Sequence, residues 1–174
     1  MTGSPTYRRP LRAAMATVVA LAALSTTATP VQAHSPDNWR KQRDHIESRA
    51  RSVIGSPYRY GGTSPNGFDC SGFTQWVYSG HGASLPHSSD AQFALPKNSS
   101  KYKRVWKRSK LEVGDLVFHD TGAGRIGHAG VYIGGGRFIS STSSGGVRIR
   151  SLYDSYWGPR WEGATRTPAT IRYK

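Results

Sequence analysis

The chain is poor in four things: it has one cysteine, two methionines, few acidic residues and no long apolar run. A single cysteine excludes an internal disulfide, so the fold must be held by core packing alone. The longest uncharged, mostly apolar stretch, Ala13 to Leu24, is about 12 residues, too short for a bilayer core of about 30 Å. No integral membrane association is expected. No two histidines have the i, i+4 helical spacing of a zinc motif, and no His/carboxylate cluster surrounds the cysteine. Neither a metal nor another cofactor is expected.

The shortage of acid is lopsided: 10 Asp and Glu stand against 24 Lys and Arg. Such an excess attracts polyanions, whether nucleic acid, anionic lipid or acidic wall polymers. The basic residues are scattered and accompany no nucleic-acid-binding motif, which argues against nucleic acid. A length of 174 residues suggests one domain, taken here as a monomer.

Residues 1–33 read as a secretory leader. Arg8, Arg9 and Arg12 form a positive start, the apolar run follows, and Val31-Gln32-Ala33 offers small residues where a signal peptidase cuts. Cleavage after Ala33 would leave 21 basic against 10 acidic side chains, about +11. Residues 34–54 read as a helical segment. Ser35-Pro36-Asp37 starts it, Trp39, Ile46, Ala50 and Val53 recur at helical spacing, and its basic face is expected to be solvated. A glycine-rich approach, Tyr58 to Gly67, leads to Cys70. Phe73, Trp76 and Val77 then describe a short helix stopping at Gly80. Leu85 to Phe93 predicts a capped short helix, and Pro96 to Lys110 a loop. Runs at Val113–His119, His128–Ile133, Arg137–Ser140 and Val147–Ile149 predict strands joined by tight turns. Helices first and an antiparallel sheet second make an α+β domain.

Cys70 begins the helix that follows the glycine-rich loop. Unpaired N–H groups and the helix dipole there favour a thiolate, whereas a buried structural cysteine is the plain alternative. A cysteine nucleophile needs a base, and histidine is tuned for that role. The candidates are His34, His45, His81, His87, His119 and His128. His128, between Gly127 and Ala129-Gly130 at a strand start, can be placed close to another group.

Asp69-Cys70-Ser71-Gly72 following Pro57-Tyr58-Arg59-Tyr60-Gly61-Gly62 resembles the NlpC/P60 cell-wall cysteine peptidases. So do Gly114-Asp115-Leu116-Val117-Phe118 and Gly127-His128-Ala129-Gly130-Val131-Tyr132-Ile133-Gly134. The resemblance implies a papain-like fold in which the nucleophile helix packs against the sheet, with the catalytic domain at 55–166 and a tail at 167–174. It implies Cys70 as nucleophile, His128 as base and Ser140 in the third polar position, where the family usually has histidine and sometimes asparagine or glutamine. It further implies that Tyr58 helps the oxyanion site and that Asp69, Ser71 and Ser88 contact substrate. His87 stands where the family commonly has arginine. The expected activity is that of a secreted or wall-associated endopeptidase. It would cut peptidoglycan stem peptides after D-glutamate, at the γ-linked bond to a diamino acid, with retention on anionic wall polymers. An amidase or acyltransferase on the same fold, or a non-catalytic wall-binding module, are the alternatives.

Overall fold

The computed structural model describes residues 1–3, 36–122 and 126–171. The expected leader, beyond its first three residues, and the Ser35 cap lie outside the described residues.

Helix α1 (Pro36–Ser52) turns one stripe inward, with Arg43, Ile46, Ala50 and, just past its end, Val53 all buried at helical spacing. Its basic face is not simply solvated. Arg43 pairs with Glu112 and donates to the Thr170 carbonyl at 2.9 Å. Arg49 lies 3.9 Å above the Trp76 ring and donates Nε–H to the Trp76 carbonyl at 2.9 Å, which also accepts the Ser79 N–H at the end of the next helix.

A two-residue hairpin, β1 (Thr63–Ser64) with β2 (Gly67–Phe68), delivers the chain into helix α2 (Cys70–Tyr78). Phe73, Val77 and Tyr78 are fully buried along α2, and Phe68 packs edge-on against Phe73. Helix α3 (Ser89–Asn98) is capped by Ser88, whose Oγ accepts from the Ala91 N–H at 3.3 Å.

The loop expected over Pro96–Lys110 is overturned. Helix α3 continues through Pro96, and strand β3 (Lys103–Val105) and a 3₁₀ turn (Arg108–Lys110) follow. Proline removes the N–H that would bond the carbonyl of Gln92. That oxygen accepts instead from Thr165 Oγ1 at 3.5 Å, and the next, of Phe93, accepts from Arg104. Tertiary donors thus stand in for the helical one.

Five more strands follow: β4 (Leu116–Asp120), β5 (Ile126–Tyr132), β6 (Arg137–Thr142), β7 (Gly146–Ser151) and β8 (Trp161–Arg166). The sheet order is β3-β8-β4-β5-β6-β7, with every neighbouring pair antiparallel. Four strands match expectation, whereas β3 and β8 do not appear in the sequence reading. The helices cover one face over Leu116, Phe118, Val131 and Ile139. The opposite face carries Val117, Phe138 and Ala164 beneath Leu152 and Trp157 of the β7–β8 connection. By strand alternation, His119, His128 and Ser140 point to this second face. The expected tail at 167–174 is packed over its described residues: Thr167, Thr170 and Ile171 are buried.

Gly72, in the first turn of α2, presses onto the Gly61-Gly62 loop. A Cβ there would lie 2.0 Å from the Gly62 carbonyl oxygen and 3.0 Å from His87 Nε2. Because the first obstacle is backbone, Gly72→Ala is expected to cost roughly 1–3 kcal/mol, as overpacking does. Urea denaturation of both proteins checks this; an unchanged midpoint would show that the loop yields freely.

Candidate active site

Asp69 is the N-cap of α2, and its carboxylate organises everything around Cys70. Oδ1 accepts from the Gly72 N–H at 2.6 Å and from Ser71 Oγ–H at 2.9 Å, and Oδ2 accepts from the Gly61 N–H at 3.0 Å. His87 Nε2 lies 2.9 Å from Oδ2. One side chain therefore joins the helix start, the glycine loop and the His87 turn. That turn is held from behind by Gln92, which is fully buried. Its Nε2 donates to the carbonyls of Pro86 (2.8 Å) and Ser71 (3.2 Å), and its Oε1 accepts from Thr74 Oγ1 at 2.8 Å.

The cap places Cys70 against the start of β5. N–H groups of Ala129, Ser71 and Cys70 itself point at the sulfur. Pairing of β5 with β6 is confined to Val131–Ile139 and Tyr132–Phe138, so the first half of β5 has no ladder partner on that side. Beyond that point Ser141 Oγ donates to the Phe68 carbonyl at 2.7 Å, which ties the approach to α2 onto β6. Gly130 permits the closeness of β5 and β6, since a Cβ there would sit 2.6 Å from the Phe138 ring.

Cys70, His128 and Tyr58 line one cavity of about 670 Å³, together with Arg150, Asp154 and Trp157. Of the seven sequence-predicted site residues, the structure brings these three into one space. Asp69 and Ser71 sit behind Cys70 in the cap network, Ser88 caps α3, and Ser140 is fully buried in β6; none of the four lines the cavity.

The imidazole of His128 is stacked on the Trp157 indole, 4.5 Å between centroids at 28°. Its Nε2 is buried without a hydrogen-bond partner, as is Ser140 Oγ. Trp157 is itself fixed by Asp154 Oδ1, which accepts from the N–H groups of Trp157 (2.7 Å) and Tyr156 (3.0 Å). His119 lies directly across the β4–β5 pair from His128, 6.3 Å between ring centroids. It stacks on Phe138 at 5.0 Å, and both of its nitrogens are buried and unpartnered.

The expected stabilisation of a Cys70 thiolate by the helix start is outweighed. Burial pushes the thiol up, the Ala129 N–H pulls it down, and the nearby Asp69 carboxylate pushes it up again. His128 is lowered to about 3 by burial first, then by His119 and Arg150. Both partners are thus neutral in the free site. Sulfur and imidazole can still exchange a proton as a bond to carbon forms, which is general-base rather than ion-pair chemistry. Burial and then Cys70 raise the Tyr58 phenol, which stays a donor. Among the described residues no group of three His, Cys, Asp or Glu side chains could hold a metal ion.

The model of the NlpC/P60 family matches residues 55–166, well over half of the chain. The chain belongs to the NlpC/P60 family. It is 41% identical over 129 residues to murein DD-endopeptidase MepH of Escherichia coli, covering 68% of this chain and 44% of MepH. To the probable peptidoglycan endopeptidase LytE of Bacillus subtilis it is 41% identical over 121 residues, covering 70% and 33%. The probable endopeptidase p60 of Listeria welshimeri is 40% identical over 111 residues, covering 64% and 20%. The chain thus spans about a fifth of that relative's length and less than half of MepH. Among solved structures, an NlpC/P60 family protein of Bacillus cereus superposes with a TM-score of 0.62 at 33% identity, covering 70% of this chain and 39% of that one. The NlpC/p60 domain of the peptidoglycan hydrolase SagA gives 0.58 at 28% identity, covering 72% and 98%. These neighbours place the chain in the papain-like NlpC/P60 fold, as the resemblance implied.

Sequence reasoning left His119 as an ordinary strand end and passed over Gln92, Arg150 and Trp157. His119 is lowered to about 3, by burial first and then by Arg108. Two imidazoles that remain neutral in the native state but protonate near pH 6.5 when unfolded favour the unfolded chain in acid. Stability from this source is fully present above about pH 6.5 and is lost as pH falls towards 3. Replacing His119 by phenylalanine keeps an aromatic ring against Phe138 and removes one of the two titrations. Urea midpoints at about pH 4 and pH 7 should differ less for His119→Phe than for the wild type. Equal differences would show that His119 does not contribute.

Proposed function

We propose that the protein is a secreted cysteine endopeptidase that hydrolyses peptidoglycan stem peptides at the γ-D-glutamyl–diamino acid bond. The observation that carries this reading is the meeting of Cys70 on α2 and His128 on β5 in one cavity that Trp157 also lines. The names of MepH and LytE point to the same polymer, and a relative 36% identical over 124 residues is named gamma-DL-glutamyl hydrolase. Export rests on the leader-like residues 1–33, and affinity for anionic wall polymers on the charge of about +11 that remains after them.

In this reading Cys70 Sγ attacks the scissile carbonyl carbon while His128 takes the thiol proton. The N–H groups at the start of α2 and the Tyr58 hydroxyl receive the developing oxyanion. His128 returns the proton to the departing amine as the C–N bond breaks, leaving a thioester on Cys70. Water, deprotonated by His128, then releases the acid and restores the thiol. Trp157 holds the imidazole plane, and His119, across the β4–β5 pair, and Ser140, on the same face of the sheet, act as positioning residues. Asp69 and Ser71, behind Cys70, and Ser88, capping α3, support the cavity wall from outside it rather than touching the stem.

A non-catalytic wall-binding module is the second reading, favoured by one observation: no hydrogen bond fixes His128 Nε2. Incubation of purified sacculi with wild type and Cys70→Ala separates the two, read by mass spectrometry of the soluble products. The wild type should release stems ending at D-glutamate, and the variant should lose at least about a thousandfold in rate, as expected on removing a nucleophile. Release by Cys70→Ala at the wild-type rate would overturn the mechanism. Sacculus binding without any cleavage by the wild type would favour the module.

A further inference from the structure

The cavity that holds Cys70 and His128 is also lined by Arg150, which makes no ion pair among the described residues. Arg150 lies on β7, opposite Phe138 of β6 and on the same face as Ser140. Its Nη2 donates to Thr142 Oγ1 at 2.7 Å, and its Nε is buried without a hydrogen-bond partner. Arg43 and Arg166 pair with carboxylates, whereas the half-buried Arg104 and Arg108, like the half-buried Arg150, bond hydroxyl or carbonyl oxygens. No carboxylate among the described residues pairs with Arg150. Asp154 shares the cavity, but its Oδ1 is occupied by the N–H groups of Tyr156 and Trp157, and it makes no ion pair with Arg150.

A guanidinium presents five donors in a planar fork that matches a carboxylate. Here a single hydroxyl occupies part of that fork, and the site is partly dry, which strengthens a charge pair. Leaving a buried N–H without an acceptor is unfavourable, and Arg150 Nε is such a group, so the arrangement suits an acceptor that arrives with the ligand. Stem peptides carry such groups. A γ-linked D-glutamate leaves its own α-carboxylate free at the other end of the residue from the scissile carbonyl, and a diaminopimelate leaves a second carboxylate on its side chain.

We propose that Arg150, steadied by Thr142, is the subsite that binds a free carboxylate of the stem peptide and so makes the enzyme discriminate against stems amidated at that carboxylate. This rests on the stem-peptide reading above. It adds a consequence for the chemistry: Arg150 is one of the charges that disfavour protonation of His128, the others being His119 and, above all, burial itself. A bound carboxylate offsets Arg150 and raises the proton affinity of His128 when substrate is in place.

The test uses three synthetic stem tetrapeptides: one with both carboxylates free, one amidated at the D-glutamate α-carboxyl and one amidated on the diaminopimelate side chain. Binding is measured by calorimetry to Cys70→Ala, to Cys70→Ala with Arg150→Gln, and to Cys70→Ala with Arg150→Lys. Cleavage by the protein with Cys70 intact is followed in parallel. Arg150→Gln should weaken the free peptide by roughly 10- to 100-fold, the range for hydrogen bonds to charged groups. It should leave unchanged the one amidated peptide whose missing carboxylate is the partner, which identifies the source. Arg150→Lys should recover part of the loss. Equal affinity of all three peptides for Cys70→Ala, or an equal loss on all three with Arg150→Gln, overturns the proposal. Failure of the intact protein to cleave any peptide overturns the peptidase reading instead, and the binding series still decides the role of Arg150.

Discussion

The Asp69 carboxylate is the constraint on which the rest of the site depends. A helix start leaves N–H groups unpaired, and here one cap oxygen takes the Gly72 N–H and the Ser71 hydroxyl while the other takes the Gly61 N–H and faces His87. These contacts set where α2 begins, how close the glycine loop approaches, and which way Cys70 faces. Gly72 has to be glycine for the same reason, because the loop backbone occupies the space a Cβ would need. Asp69 has an electrostatic side effect. Its negative charge, close to Cys70, opposes the thiolate that the helix start would otherwise favour.

Burial is the larger influence on the chemistry. It drives Cys70 and His128 towards their neutral forms together, and the N–H groups aimed at sulfur recover only part of the difference. What keeps the imidazole in place is a plane of contact rather than a hydrogen bond. Trp157 stacks on one side, and His119 approaches from the neighbouring strand. The β7–β8 connection that supplies Trp157 is ordered in turn by Asp154, so a short polar loop governs a ring it does not hydrogen-bond to. Ser140, placed by its resemblance in a third catalytic position, is fully buried in β6, and its hydroxyl has no hydrogen-bond partner among the described residues.

Much of the fold was legible. α1 and α2 follow from apolar spacing with clear stop signals, and β4, β5, β6 and β7 from short alternating runs between glycine turns. β8 escaped because Glu162-Gly163-Ala164-Thr165 carries little hydrophobic signal. It is buried by its neighbours, with Ala164 opposite Val117 and Gly163 beneath Phe93 and Trp106. β3 is a basic edge segment that, among the described residues, pairs with β8 alone, so it could not be seen without β8. The extension of α3 through Pro96 also needed distant residues, Thr165 and Arg104, to accommodate the missing N–H. In the site, Cys70, His128 and Tyr58 could be read because motif spacing marks them. His119, Arg150 and Trp157 could not, since each is significant only through a neighbour on another strand or loop.

The sequence by itself determined the lone nucleophile candidate, its position at a helix start, and the strand that presents His128, because glycine turns and residue periodicity are local. Only the tertiary structure decided the ionisation of that pair and the company it keeps. Desolvation, ring stacking and the placing of Arg150 in the cavity depend on which segments close over one another, and no local pattern encodes that closure.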